Sequence, residues 1–327
     1  MLAQVYASCN RPGAMSPFSR KNGFIFLAMN THSSQQLQNL HSHLSHEIRG
    51  QEHVVPRVCS VLRRGEIGLA NVSRPRGSFL FVGPTGVGKT ETTVCFSDYL
   101  FGPGHVHRFD MSEFQNQSSV GLLLGQSVTE IGMLGRALAK ADHGTLLFDE
   151  MEKAHPLVLD LFLQILDAGR ITLATGETKN INGYYVVFTS NIGAGEAMRM
   201  ENSAFATIER TVLKRVDQTL RPELVARINE KVVFTRLTFD VQRQICVLMV
   251  SRELERLKRL SYSLTVEPPA LEFLIREGYH RTLGARPMRN TVERYLQDAI
   301  VHDVMEGGDG SGNVIVDAAG GRLCVAK

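Results

Sequence analysis

The stretch Gly83-Pro84-Thr85-Gly86-Val87-Gly88-Lys89-Thr90 constrains the fold more than any other part of the sequence. It follows an apolar run, Phe79-Leu80-Phe81-Val82, that reads as a buried strand, and a helical stretch opens at Lys89 or Thr90. The spacing G-x-x-x-x-G-K-T between a strand and a helix is a P-loop. Its glycines let successive N–H groups turn inward and cradle phosphate oxygens at the positive end of the following helix. In such a loop Lys89 reaches the β- and γ-phosphates and the Thr90 hydroxyl ligates Mg²⁺.

Around this loop, apolar strands alternate with helical stretches. His107–Met111, Thr145–Glu150 and Tyr184–Phe188 read as further strands, with helices predicted over 118–142 (broken by a glycine-bearing loop from Gly125 to Gly132) and Pro156–Asp167. That alternation predicts an α/β fold, a parallel sheet covered by helices on both faces. Ahead of it, Leu37, Leu40 and Leu44 predict an amphipathic helix over 33–46, and a second helix is expected from about His53 to Ala70. Gly169-Arg170-Ile171-Thr172 reads as a loop or short hairpin. Beyond Phe234 the texture changes to a smaller α+β unit. It has helices over Asp240–Leu260, from Pro268/Pro269 to Gly278 and over 287–306, a short strand at 263–266, and a closing hairpin of 314–316 with 323–325.

With 327 residues and 43% apolar content the chain is long enough for two domains, and a net charge of +3 is too small to argue for nucleic acid or an anionic membrane. Five scattered cysteines, with no C-x-x-C pair, fit reduced thiols in a cytoplasmic protein. No apolar run is long enough to cross a bilayer. Met15 and Met29 are alternative starts, so residues 1–32 are expected to be a poorly structured extension. His41, His43 and His46 fall on the first helix without a Cys or Asp at ligand spacing and read as polar helix surface.

Asp149-Glu150 ends an apolar strand downstream of the P-loop, as a Walker B motif does. Ligands of such sheets sit at the carboxyl ends of the strands. Asp149 is therefore placed to hold Mg²⁺ directly or through water, and Glu150 to polarise an attacking water. Asn191 ends the next strand, where its amide can orient water near a γ-phosphate. Arg227, in Arg221-Pro222-Glu223-Leu224-Val225-Ala226-Arg227-Ile228-Asn229, and Arg286, after Gly284-Ala285, read singly as solvated surface.

These motifs, taken together and in order, resemble the Clp/heat-shock protein-100 branch of the AAA+ ATPases, and most closely the second ATPase module of ClpB. The likeness covers about residues 45–327 and runs through Gly77–Glu91, Asp110-Met111-Ser112-Glu113-Phe114, Asp149–Pro156, Gln164–Arg170, Thr189-Ser190-Asn191-Ile192-Gly193 and Gly284-Ala285-Arg286-Pro287. The resemblance implies a large ATP-binding domain over 33–236 and a small lid domain over 237–327. ATP and Mg²⁺ are the implied cofactors. It implies that Arg227 is an arginine finger acting on a neighbouring subunit, that Arg286 is the small-domain sensor, and that Ile48 and Arg49 lie against adenine. Arg49 departs from the apolar residue the family places there. The implied assembly is a homo-hexameric ring that remodels protein substrates.

The chain also departs from its relatives. Their polypeptide-gripping loop carries Tyr-Val-Gly, whereas 124–133 here is shorter and has no aromatic, leaving Val128, Ile131 or Met133 as weak substitutes. Ala226 and Asn229 replace the Asn and Asp that flank the finger in the family. Ile67-Gly68-Leu69 imitates the tripeptide that docks some relatives onto the ClpP peptidase, but it precedes the P-loop and reads as a helix end, so such docking is not expected. Two readings follow: an ATP-driven protein remodeller, and an ATP-gated assembly or scaffold switch that binds a partner without threading polypeptide. A nucleic-acid motor finds no basic stripe to support it.

Overall fold

A computed structural model describes residues 34–127, 129–200, 203–319 and 321–326. The expected extension over 1–32, like Val128, lies outside them. Residues 34–47 form helix α1. Then come α2 (Val54–Glu66), β1 (Gly77–Val82), α3 (Lys89–Phe101), β2 (Val106–Asp110), α4 (Ser119–Leu124) and α5 (Met133–Leu138). They are followed by β3 (Gly144–Asp149), α6 (Pro156–Ala168), the short β4 (Arg170–Thr172) and β5 (Thr178–Asn180), and β6 (Tyr184–Ser190). Helices α7 (Ala194–Arg199), α8 (Phe205–Thr219) and α9 (Pro222–Arg227) lead to β7 (Glu230–Val233).

The five long strands form one parallel sheet in the order β2-β3-β6-β1-β7. The residues of the three inner strands β3, β6 and β1 are buried on both faces, so these strands read as continuous apolar runs. The two-residue period divides the core. Leu80 and Val82 of β1 join Val186 and Phe188 of β6 in one layer, with Phe162 and Ile165 of α6. Phe79 turns to the other face, where it meets Phe96 of α3 and Tyr185 of β6 at ring-centroid distances of 5.8 and 6.5 Å. Strands β4 and β5 pair antiparallel as the hairpin allowed by the sequence.

The chain continues through α10 (Phe239–Arg259), β8 (Leu264–Val266), α11 (Pro268–Gly278), α12 (Arg286–Met305), β9 (Gly312–Val316) and β10 (Leu323–Ala326). A second apolar cluster, including Cys246, Leu274, Leu296 and Val314, is drawn wholly from these elements. The closing hairpin gains a third strand, because β8 pairs parallel with β9.

Three local expectations are corrected. Helix α2 stops at Glu66 rather than Ala70, because Gly68 takes a left-handed φ of 75° and Ile67 caps the last turn through Arg63 O. Strand β2 ends at Asp110, whose carboxylate accepts from Ser112 N at 2.9 Å and starts a 3₁₀ turn at Met111. His43 is not plain helix surface. It is half-buried, stacked on Tyr99 at 4.4 Å, while His41 and His46 are exposed.

Candidate functional site

The strand order explains the site. β6 lies between β1, which feeds the phosphate loop, and β3, which ends in Asp149. A residue just past the end of β6 therefore stands between the two motifs, and that residue is Asn191. Its Oδ1 accepts from Lys89 Nζ at 2.9 Å, and its Nδ2 donates to Glu150 Oε1 at 3.1 Å. Its backbone N–H donates to Glu152 Oε1 at 3.0 Å. Three residues far apart in sequence are thus joined at one edge of the sheet.

Lys89 opens α3, and its ammonium also donates to the carbonyls of Gly83 and Pro84, at 2.5 and 2.8 Å. Burial pushes its pKa down to about 8, against the opposing pull of Asp149, Glu152 and Glu150, and the Arg286 guanidinium lowers it further. Gly88 at the head of α3 has φ 106°, a conformation that favours glycine. The small domain closes on the loop at its apex. Ala285 N donates to Gly86 O at 2.9 Å, and a Cβ on Gly86 would collide with the Leu283 carbonyl oxygen.

Asp149 is buried, and both its oxygens are engaged. Oδ1 accepts from the Thr189 hydroxyl and Oδ2 pairs with Arg108 Nη2 at 2.5 Å. Glu150 follows in the left-handed region at φ 57°, unusual for a residue with a side chain. Its N–H donates to Thr189 Oγ1 at 3.1 Å, and its Oε2 pairs with Lys153 Nζ at 2.5 Å.

A cavity of about 520 Å³ joins these groups. One end is lined by Lys89, Thr90, Asp149, Glu150, Asn191 and Arg286, the other by Ile48, Arg49, Leu237, Ile245 and Met249. Cations and loop amides at one end and aliphatic side chains at the other suit a polyanion joined to a flat base. A hydroxyl and a carboxylate among the donors suit a hard divalent cation. The cavity thus gathers Ile48, Arg49, Thr85 to Thr90, Asp149, Glu150, Asn191 and Arg286. Gly83 and Pro84 meet it through the Lys89 ammonium.

Arg227 stands apart from the cavity lining of its own chain. It lies in the last turn of α9, where Nε pairs with Asp167 and Nη1 donates to Glu223 O at 2.7 Å. Asn229 fastens that segment to β1, its Oδ1 accepting from Ser78 N and Oγ, each at 2.9 Å. In the loop before α5, Ala174 N donates to Leu124 O at 3.1 Å, and a Cβ on Gly132 would strike the backbone of Leu123 to Gly125. Ile131 is about half exposed. Met133 is no loop tip: it is the first residue of α5 and packs, partly buried, against the core.

The sequence reading missed Arg108, Glu47, Glu91, Arg252 and Arg289. Arg252 of α10 pairs with Glu47 and, at 2.7 Å, with Glu91, which Arg289 of α12 meets at 3.0 Å. Arg108 could have been suspected once β2 was set beside β3. The others depend on how α10 and α12 dock, which no short string encodes.

Two family models match, one described as an AAA domain of the Cdc48 subfamily, over residues 74–231, and one as the C-terminal D2-small domain of ClpB, over 237–316. A ClpA homologue described as an ATP-binding subunit of the ATP-dependent Clp protease, from Porphyra purpurea, is 37% identical over 292 residues, covering 84% of this chain and 36% of the relative. The chaperone protein ClpB of Aquifex aeolicus is 35% identical over 304 residues, covering 88% and 30%. The solved Hsp104–ADP complex of S. cerevisiae superposes with a TM-score of 0.81 at 29% identity, over 94% of this chain and 56% of that one. The chain spans about a third of the length of the curated relatives it matches.

Proposed function

Because the chain belongs to the Clp/heat-shock protein-100 family of AAA+ ATPases, with ATP and Mg²⁺ as cofactors, we propose that it couples ATP hydrolysis to protein remodelling in a homo-hexameric ring whose active sites are shared between neighbours. Residues 33–236 are the ATP-binding domain in this reading, and 237–327 the lid. The observation that carries the reading is the junction at Asn191, whose amide touches both Lys89 and Glu150.

Lys89 and the loop amides from Gly83 to Thr90 hold the phosphates, while Ile48 and Arg49 flank the base. Thr90 and Asp149 hold Mg²⁺, which neutralises charge on the phosphates when bound. Glu150 accepts a proton from the attacking water, oriented by Asn191. Arg286 contributes positive charge from the small domain. Arg227 completes the site of the adjacent subunit, which makes turnover depend on assembly. A trans arginine of this kind is worth ~10³–10⁵ in rate.

The experiment is a pair of substitutions with separable outcomes. Lys89→Ala is expected to lose nucleotide affinity. Glu150→Gln is expected to retain it while turnover falls at least about a hundredfold, a typical effect of losing an acid–base group. Normal turnover in Glu150→Gln removes that residue from the role assigned to it.

A second reading, an ATP-gated assembly switch that does not thread polypeptide, is favoured by the loop before α5. It is short, tied at Leu124 and closed by the Gly125–Gly132 approach, and it carries no aromatic. ATPase stimulation by an unfolded protein supports threading, and stimulation only by a folded partner supports the switch. No docking of a ClpP-type peptidase is proposed: Ile67 and Leu69 lie exposed beyond the end of α2, ahead of the phosphate loop.

A further inference from the structure

Asp149 presents an arrangement that the proposed chemistry leaves unexplained. A carboxylate that receives a divalent cation faces a positive charge with its lone pairs, yet here Oδ1 accepts from Thr189 and a different cation, the Arg108 guanidinium, already stands on Oδ2 at 2.5 Å. The carboxylate side chain is only 11% exposed, whereas the Arg108 side chain is 52% exposed. The two partners are therefore unequal. Moving Arg108 away strands a buried charge, but the guanidinium itself passes readily into water.

The backbone places them for this exchange. Parallel pairing of β2 with β3 sets Asp110 opposite Asp149 and Arg108 opposite Leu147, so the arginine reaches forward along the sheet to the carboxylate. Arg108 also lines a second cavity on the outer side of β2, with His107, Met133, Arg136 and Lys140. It stands between the phosphate end of the main cavity and open surface, with room on either side.

We propose that Arg108 is a built-in counter-charge for Asp149, neutralising the carboxylate while no metal is bound and giving up its place when Mg²⁺ arrives. The inference rests on the reading of Asp149 as a metal ligand. With Arg108 in place, a nucleotide entering without metal meets a neutral ion pair instead of a bare carboxylate. Without it, the phosphates face an unscreened negative charge in a partly desolvated pocket, where like-charge repulsion is strong. Arg108 is thus a positioning residue that sets how steeply nucleotide affinity depends on Mg²⁺.

The test is a titration of the full chain with a fluorescent ADP analogue, in Mg²⁺ and in EDTA. It compares wild type, Arg108→Gln, Arg108→Lys, Asp149→Asn and the Arg108→Gln/Asp149→Asn pair. Arg108→Gln is expected to weaken binding in EDTA on the order of tenfold and to leave affinity in Mg²⁺ little changed. Arg108→Lys, which keeps the charge, is expected to stay closer to wild type. The double variant is expected to return the EDTA affinity of Arg108→Gln toward wild type, because with both charges removed the site is again neutral, as it is with the intact ion pair. Equal losses in both conditions, or no loss in either, overturn the inference alone and leave the metal reading standing. A wild-type affinity indifferent to Mg²⁺ overturns the metal reading and the inference with it. If Arg108→Gln fails to fold, Arg108→Lys and the double variant still decide the matter through the same ratio of affinities.

Discussion

At the scale of single residues, Lys89 carries the clearest consequence. Burial lowers its pKa from the ordinary 10.5 to about 8, so between those values the nucleotide-free fold holds fewer protons than the unfolded chain. Its contribution to stability is therefore fully present above 10.5, falls as the pH drops through that window, and is lost below about 8. A bound phosphate reverses the balance by favouring the ammonium. Nucleotide binding at pH 8.5, well above the second ionisation of a phosphate monoester near about 6, is expected to take up a fraction of a proton. Calorimetry in two buffers of different ionisation heat measures that uptake directly, and no uptake means that Lys89 keeps its proton throughout. Lys89, Asp149 and Glu150 were readable from the sequence because each sits inside a short string with fixed spacing. Arg108 was not, because its role depends on which strand lies beside β3, and the order β2-β3-β6-β1-β7 is a property of the sheet. Asn191 falls between these cases: its strand-end position was legible, but its bridge from Lys89 to Glu150 was not.

At the scale of elements, the phosphate loop and the turn before α12 meet through backbone. Gly284 has φ 59°, and a Cβ there would collide with the Gly86 carbonyl oxygen. Gly284→Ala adds both left-handed strain and a clash that no side-chain rotation relieves, together about 1–3 kcal/mol. Although Gly284 lies outside the phosphate loop, the substitution is expected to weaken nucleotide binding about fivefold to a hundredfold, read by the same fluorescent titration. Unchanged affinity would make the contact a passive one. The paired Glu47, Glu91, Arg252 and Arg289 reinforce this junction, but their side chains are partly exposed and each bridge contributes at most about 1 kcal/mol. Element types were largely legible, since helix and strand periods differ. Their ends were less so: Gly68 shortened α2, and Met133, grouped by the sequence with a loop, is the start of α5. The short strand β8 was read from the sequence, but its parallel pairing with β9 was not, because three residues carry no signal of which strand they lie beside.

At the scale of the whole molecule, the position of Arg227 decides whether one chain suffices. Its guanidinium is held by Asp167 and Glu223 O, away from the cavity of its own chain. Arg227→Ala is expected to bind ATP but to lose turnover, and mixing it with Lys89→Ala is expected to restore part of the activity at interfaces that pair an intact loop with an intact arginine. Mixed rings as inactive as either parent would rule out a shared site. The sequence suggested the finger only through family likeness, since nothing in a lone arginine distinguishes a trans contact from solvated surface. The hydrogen bond between Ala285 and Gly86 carries a further consequence, a mechanical one. At this contact the small domain grips the phosphate cradle main chain to main chain, a stiffer link than the partly exposed side-chain bridges beside it. A pull on the small domain therefore arrives at the cradle as tension, and nucleotide residence time becomes a gauge of the load that the rest of an assembly places on each subunit.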